Sequence, residues 1–165
     1  MEAEIREYMP GDPSRAACFY FRVFADQFDF NGTVEQYFIS NMAELWDDPD
    51  GNMLWIAEKD GQIVGSIMIV NRGNGIGQLR FFGVDANTQG EHIGKRLMDK
   101  AMSFCKEKGY KRVYLWTIDI CEAARHLYGK YGFYLMETKP NTTWAAYPMT
   151  EERWDYLEQG SPADK

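Results

Sequence analysis

The 165-residue sequence predicts a mixed α/β domain in which about seven strands form a mostly antiparallel sheet and four helices pack against it. Three observations carry this reading. Apolar runs at Met53–Glu58, Gln62–Val70 and Gly77–Val84 follow one another closely. The first two are joined by Asp60-Gly61, the pair a two-residue type I′ hairpin asks for, so an antiparallel meander is expected. Four other segments carry apolar residues at three- and four-residue steps, the helical period. Finally, Phe82 to Leu97 reads as a strand end, a polar turn and a glycine-bearing loop that opens a helix.

In order, Glu4 to Met9 is a short strand stopped by Pro10-Gly11-Asp12-Pro13. Ser14 is a candidate cap for a helix carrying Ala17, Tyr20, Phe21, Phe24 and Phe28. Asn31-Gly32-Thr33 breaks and recaps the chain, and Val34, Tyr37, Phe38, Met42 and Leu45 mark one face of a second helix, a lid or wall. The meander follows. Ile93, Leu97, Met98, Ala101, Met102 and Cys105 form an amphipathic helix ending at Gly109. Arg112–Ile118 is a buried strand, Glu122 to Tyr131 a compact helix, and Phe133 to Met136 begins a strand. Thr142 to Ala146 and Arg153 to Leu157 are the candidates that finish the sheet. No repeat or second domain is visible: residues 1–158 form one domain and 159–165 a polar tail.

Composition narrows the function classes. Hydrophobic residues make up 45% and charged residues 26%, ordinary for a globular protein, and the net charge of -7 argues against nucleic-acid or anionic-membrane partners. Cys18, Cys105 and Cys121 have neither metal-ligand spacing nor a disulfide framework, which fits a reducing, cytoplasmic, bacterial-type setting and no metal. The start of the chain lacks the basic and apolar regions of a signal peptide. Positive charge concentrates between Lys95 and Arg112, beside the glycine loop, and favours an anionic ligand.

Two loops compete for that ligand. Arg72-Gly73-Asn74-Gly75-Ile76-Gly77 has glycine spacing as good as that of Gln89-Gly90-Glu91-His92-Ile93-Gly94. Phosphate binding needs a loop that opens a helix, where first-turn N–H groups are unpaired and the dipole is positive. The first loop runs into strand residues and reads as a flexible hairpin connection. The second opens a helix, so it is the binding candidate, with Lys95 and Arg96 adding charge.

With the element order in hand, two segments resemble the GNAT superfamily of acetyl-CoA-dependent N-acyltransferases. Val84 through Leu97 is similar to the family's pyrophosphate loop, Gln/Arg-x-x-Gly-x-Gly/Ala, and Ala124 through Phe133 to its Ala-x-x-Leu-Tyr-x-x-x-Gly-Phe signature. The Leu115-Trp116-Thr117 strand further resembles GNAT domains fused to MarR-type regulators, here without a DNA-binding half. The resemblance implies acetyl-CoA as cosubstrate, an amine as acceptor, and a monomer or homodimer. It places coenzyme contacts at Phe82, Gly83, Val84, Gln89, Gly90, Glu91, His92, Ile93, Gly94 and Lys95. Departures are His92 at a glycine position, Glu91 bringing negative charge, and Cys121 where the family has asparagine, with Asp119 as its substitute if the strand end bulges.

The chemistry follows from pKa values. An alkyl amine with a pKa of about 10.4 is free base in only about one molecule in a few thousand at pH 7, so a base or a water chain helps. The thiolate leaving group, at about 8.5, needs less help. By resemblance, Tyr128 is the general acid, the Val84 N–H polarises the thioester carbonyl, and Phe82 and Val84 pair with pantetheine like an added strand. Glu58, Asp85, Asp119 and Glu122 are base candidates; Trp116, Trp144 and the early aromatics are expected to fill the core, with a substrate-pocket border the alternative for Trp144. Two other readings are a coenzyme-binding sensor that no longer catalyses, suggested by His92, Glu91 and Cys121, and a nucleotide-binding α/β domain, which the antiparallel meander disfavours.

Overall fold

The computed structural model describes residues 1–88 and 90–159. Gln89, assigned above to the loop, and residues 160–165 of the polar tail lie outside the described residues. The elements are β1 (Glu4–Glu7), α1 (Asp12–Phe28), α2 (Thr33–Ala43), a 3₁₀ turn (Glu44–Trp46), β2 (Met53–Lys59), β3 (Gln62–Gly73), β4 (Ile76–Val84), α3 (Ile93–Lys108), β5 (Arg112–Ile118), α4 (Glu122–Lys130), β6 (Tyr134–Asn141) and β7 (Met149–Leu157). One sheet of seven strands has the order β1-β2-β3-β4-β5-β7-β6. Every neighbouring pair is antiparallel except β4 and β5.

The meander forms as expected, with two tight turns. Asp60 and Gly61 sit at φ 50° and 76°, and Asn74 and Gly75 at 54° and 74°. Positive φ at both central residues matches the right-handed twist of the flanking strands. The connection at Arg72–Gly77 is therefore no flexible link: β3 runs on to Gly73 and turns on two residues. The tempting glycine spacing there is turn chemistry.

The helices cover both faces. Ile93, Leu97, Met98 and Ala101 of α3 are buried against β3 and β4, the three larger side chains contributing about 2 kcal/mol each. Gly65 lets α3 approach, since a Cβ there would lie 3.0 Å from Ile93 Cγ2 and 3.1 Å from Leu97 Cδ1. On the other face α1 and α2 bring a dense aromatic cluster. Tyr20 lies 4.8 Å from Phe38 and 5.1 Å from Phe81 between ring centroids, both edge-on.

Three expectations are corrected. The first helix begins at Asp12, not Ser14; Gly11 in the left-handed region precedes it and no side chain caps it. The opening strand ends at Glu7, because the Asp12 carboxylate pulls the chain into a turn by accepting the Met9 N–H at 2.8 Å. Thr142–Ala146 is no strand: Asn31 captures its backbone, taking the Thr143 carbonyl at 2.8 Å and donating its N–H to the Trp144 carbonyl at 2.7 Å. That loop instead seats Trp144 between Phe30 and Tyr37.

Between β4 and β5 the sheet comes apart. They share only three parallel rungs, Ile76 with Arg112, Gly77 with Val113 and Gln78 with Tyr114. Past them β5 stays paired with β7 as far as Ile118, while β4 diverges. The cause lies within β4. Opposite the single residue Ile67 stand both Phe81 and Phe82, since Ser66 pairs with Gly83 and Met68 with Arg80. This bulge puts Phe81 at φ 53°, a conformation costing a bulky residue about 1–2 kcal/mol. The buried Ser66 hydroxyl holds it by donating to the Phe81 carbonyl at 2.6 Å.

The buried Asp12 carboxylate is bound by Arg6 at 2.6 Å and Arg15 at 2.9 Å, with the Arg6 hydrogen bond the largest force holding its pKa below the usual aspartate range. A depressed native pKa gives stability that is full above the unfolded value of about 4 and lost as pH falls through the lower native value. Urea midpoints measured from pH 6 down to about 2 should therefore fall more steeply for wild type than for Asp12→Asn. Removing the pair with Asp12→Ala should cost about 3 kcal/mol at neutral pH.

Candidate active site

The parting of β4 and β5 creates two adjoining cavities. On the α3 and α4 side, the end of β4, the loop after it and the first turns of both helices line a groove. On the α1 and α2 side lies an aromatic pocket. Phe24, Phe82, Cys121 and Ala124 border both and form the partition between them.

The groove's polar character is mostly backbone. The first intrahelical bond of α3 runs from the Arg96 N–H to the His92 carbonyl at 3.0 Å, so the N–H groups of Ile93, Gly94 and Lys95 precede it. Three donors without partners among the described residues, at the positive end of a sixteen-residue helix, suit a phosphate. A Cβ at Gly94 would be tight against Phe82 Cζ at 3.3 Å and in ordinary contact with Leu127 Cδ2 at 3.5 Å. Position 92 favours glycine for a different reason: His92 precedes the helix at φ 52°, and its exposed side chain stands at the border of the groove.

β4 adds a further donor. The Asp85 N–H binds the Val64 carbonyl at 2.8 Å, and Val84 stands opposite Gly65. Ladder alternation makes Val84–Gly65 a non-hydrogen-bonded pair. The Val84 N–H therefore points away from β3, toward the gap left by β5.

The charged residues near the loop lie elsewhere. Glu91 turns back, pairs with Lys59 and accepts the Ala3 N–H at 3.0 Å; the Lys59 hydrogen bond holds its carboxyl below the usual range. Its negative charge is thus compensated, contrary to expectation. Lys95 pairs with Asp99 at 3.0 Å, and Arg96 donates to the Ala3 carbonyl at 2.8 Å. Lys111 and Arg112 pair with Glu158 and Asp155. The basic stretch is therefore an outer face, and among the described residues no lysine or arginine borders the groove.

Tyr128 is 4% exposed, its ring 5.7 Å from Phe82 and 6.0 Å from Phe133, and it borders the aromatic pocket. Its hydroxyl takes no partner among the described residues, and burial holds its pKa well above the usual phenol range. Cys121, before the first turn of α4, faces both cavities, and burial pushes its thiol up to about 11. Asp119 is not brought to the groove: its carboxylate accepts the Thr150 N–H at 3.0 Å, locked onto β7.

Of the base candidates, Glu58 is bound by Arg6 and Arg15 at 3.3 and 3.2 Å near the outer edge of the sheet. Asp85 and Glu122 border the groove and not the pocket. The carboxylate bordering the pocket is Glu151, which sequence reasoning passed over because Thr150-Glu151-Glu152 looks like surface. Its register opposite Ile118 puts it on the α1 and α2 face, the signal that strand alternation would have supplied. Neighbouring Glu152 faces the other way, bound by Arg125 at 2.7 and 3.2 Å.

The seven-stranded sheet thus opens at its parallel pair, with a helix start on one side and an aromatic pocket on the other. Residues 18–133 match the model of the acetyltransferase (GNAT) family, and the chain belongs to that family. It is 30% identical over 112 residues to a mycothiol acetyltransferase of Thermomonospora curvata, covering 68% of this chain and 37% of that protein. A mycothiol acetyltransferase of Stackebrandtia nassauensis is 29% identical over 141 residues, covering 83% and 46%. The chain thus spans less than half the length of these relatives. An acetyltransferase of the GNAT family from Staphylococcus aureus Mu50 superposes with a TM-score of 0.76 at 22% identity, covering 94% of this chain and 98% of that one, a likeness of fold. No described helix is long and apolar enough to cross a membrane.

Replacing His92 with glycine should relieve the left-handed strain and clear the ring from the groove. Net of the backbone entropy glycine adds, urea unfolding should show a gain of about 0.5 kcal/mol. Calorimetry should show acetyl-CoA binding about threefold tighter or better. Weaker binding would mean that the imidazole contacts phosphate.

Proposed function

We propose that this domain transfers an acetyl group from acetyl-CoA to an amine by direct attack, both substrates being held together. The observation that carries the reading is the partition: a phosphate-ready groove and an aromatic pocket meet across Phe82 and Cys121 where β4 leaves β5. When bound, acetyl-CoA supplies an acetyl group activated as a thioester. The N–H groups of Ile93, Gly94 and Lys95 hold its pyrophosphate, so backbone and helix dipole do the work that side-chain cations do elsewhere. The exposed edge of β4 at Phe82 and Val84 pairs with the pantetheine arm, and the Val84 N–H donates to the thioester carbonyl oxygen.

Direct attack is favoured over an acyl-cysteine route by Cys121 itself. With its pKa at about 11, only about one thiol in ten thousand is ionised at pH 7, and the thiolate is the nucleophile. Glu151 takes the proton of the incoming ammonium, directly or through water. Tyr128 keeps its proton under burial and donates it toward the departing sulfur. The same apolar surroundings raise the basicity of the thiolate, which narrows the gap between the two groups. The sensor reading loses one of its motives, since Glu91 is neutralised by Lys59.

Thiol release from acetyl-CoA across an amine panel tests the activity. Tyr128→Phe should lower kcat by about ten- to a hundredfold while acetyl-CoA affinity stays within about twofold. Glu151→Gln should lower kcat similarly. Unchanged turnover in Tyr128→Phe would remove the phenol from proton donation, and acetyl-CoA binding without thiol release from any amine would favour the sensor.

A further inference from the structure

Arg80 enters the aromatic pocket from β4, and its hydrogen bonds are missing. Its side chain is 17% exposed, and its nearest carboxylate oxygen is Glu44 Oε1, 3.3 Å from Nη2. Glu44 is already engaged, because Arg72 makes a short hydrogen bond to its other oxygen. Arg72 also donates Nε to Gln78 Oε1 at 2.7 Å and is well satisfied. Two guanidiniums thus share one carboxylate, and the surplus positive charge falls on the one bordering the pocket.

None of the five N–H groups of Arg80 makes a hydrogen bond among the described residues, and Nε is buried without a partner. Arg125 and Arg153 are treated differently: Arg125 forks onto Glu152, and Arg153 binds Asp155 at 2.8 and 3.0 Å, while Arg96, whose Nη1 is also buried without a partner, donates through Nη2 to the Ala3 carbonyl. A buried donor left unpaired is costly unless a ligand completes it, and a planar guanidinium is shaped for a carboxylate. Around Arg80 the walls are rings, among them Tyr20, Phe38, Phe81 and Trp144. The pocket's other charge is of opposite sign, Glu151, reaching in from β7 on the far side of β5.

We propose that the acceptor is an amine that carries its own carboxylate. Its apolar body lies among the rings, its amino group faces Glu151 and Tyr128, and its carboxylate forks onto Arg80. This assigns Arg80 as a binding and specificity residue, and it rests on the amine-acceptor reading above.

The test uses matched acceptors that share a body and differ in the anion: phenylalanine, leucine and 6-aminohexanoic acid against their methyl esters and the corresponding decarboxylated amines. One readout is kcat/KM from thiol release. The other is quenching of tryptophan fluorescence without acetyl-CoA, since Trp116 and Trp144 border the pocket. At least one acid should bind and turn over about tenfold better than its ester and amine partners. Arg80→Gln should remove that preference, mainly through a raised KM for the acids, so that acids and their carboxylate-free partners are used alike, and Arg80→Lys should recover part of it. Its melting temperature should not fall, whereas a purely structural Arg80–Glu44 pair would make Arg80→Gln less stable. Equal binding and turnover of acids and esters, or an unchanged preference in Arg80→Gln, overturns the assignment. Turnover of plain amines but not acids leaves acetyl transfer standing and removes this proposal. Arg80-dependent quenching by acids with no thiol release from any amine does the reverse.

Discussion

β4 and β5 make three rungs and then separate, and the rest of the site depends on that separation. A parallel pair continued to the ends of both strands would close the sheet and consume the donors of β4. The bulge at Phe81 and Phe82 prevents it by twisting β4 away, and the Ser66 hydroxyl fixes the strained residue by binding its carbonyl. Local strain is thereby exchanged for an exposed strand edge, a gap for a ligand, and a partition through which two substrates can meet.

The site's electrostatics are built largely from backbone. In a chain of net charge -7, a phosphate site ringed by lysines would be the simple expectation. Beside the loop, Lys95 and Arg96 are instead committed to Asp99 and the Ala3 carbonyl, Lys111 and Arg112 lie past the far end of α3, and the groove presents amide donors at a helix start. Fixed donors of this kind need no side-chain ordering when an anion arrives. The pocket across the partition differs: it carries the guanidinium of Arg80 and the carboxylate of Glu151 in an aromatic lining, the basis of the acceptor proposed above.

Much of this was legible in the sequence. Element order, the Asp60-Gly61 turn and the helix-opening loop could be read because period and glycine placement act locally, whereas Tyr128 was singled out by the family resemblance alone. The choice between two glycine loops was settled by what followed each, and the tight turn at Asn74-Gly75 shows why spacing alone misleads. What could not be read depends on neighbours distant in sequence. Phe81 gives no sign that it will adopt a positive φ, since the bulge is set by register with β3. Glu91 looked like an obstacle because Lys59 and the Ala3 N–H are far away along the chain. Arg80 and Glu151 became candidates only once register had fixed their face, and Asp119 is withdrawn as a candidate because β7 claims its carboxylate.

The central claim is that the amide groups of Ile93, Gly94, Lys95 and Val84 hold the coenzyme where the sheet opens. Amide chemical shifts followed by NMR during titration with acetyl-CoA test it most directly. The account predicts saturable shifts concentrated at these four residues and their neighbours, with the outer-face lysines of α3, Lys100 and Lys106, little affected. Shifts centred on that outer face, or none at millimolar coenzyme, would contradict it.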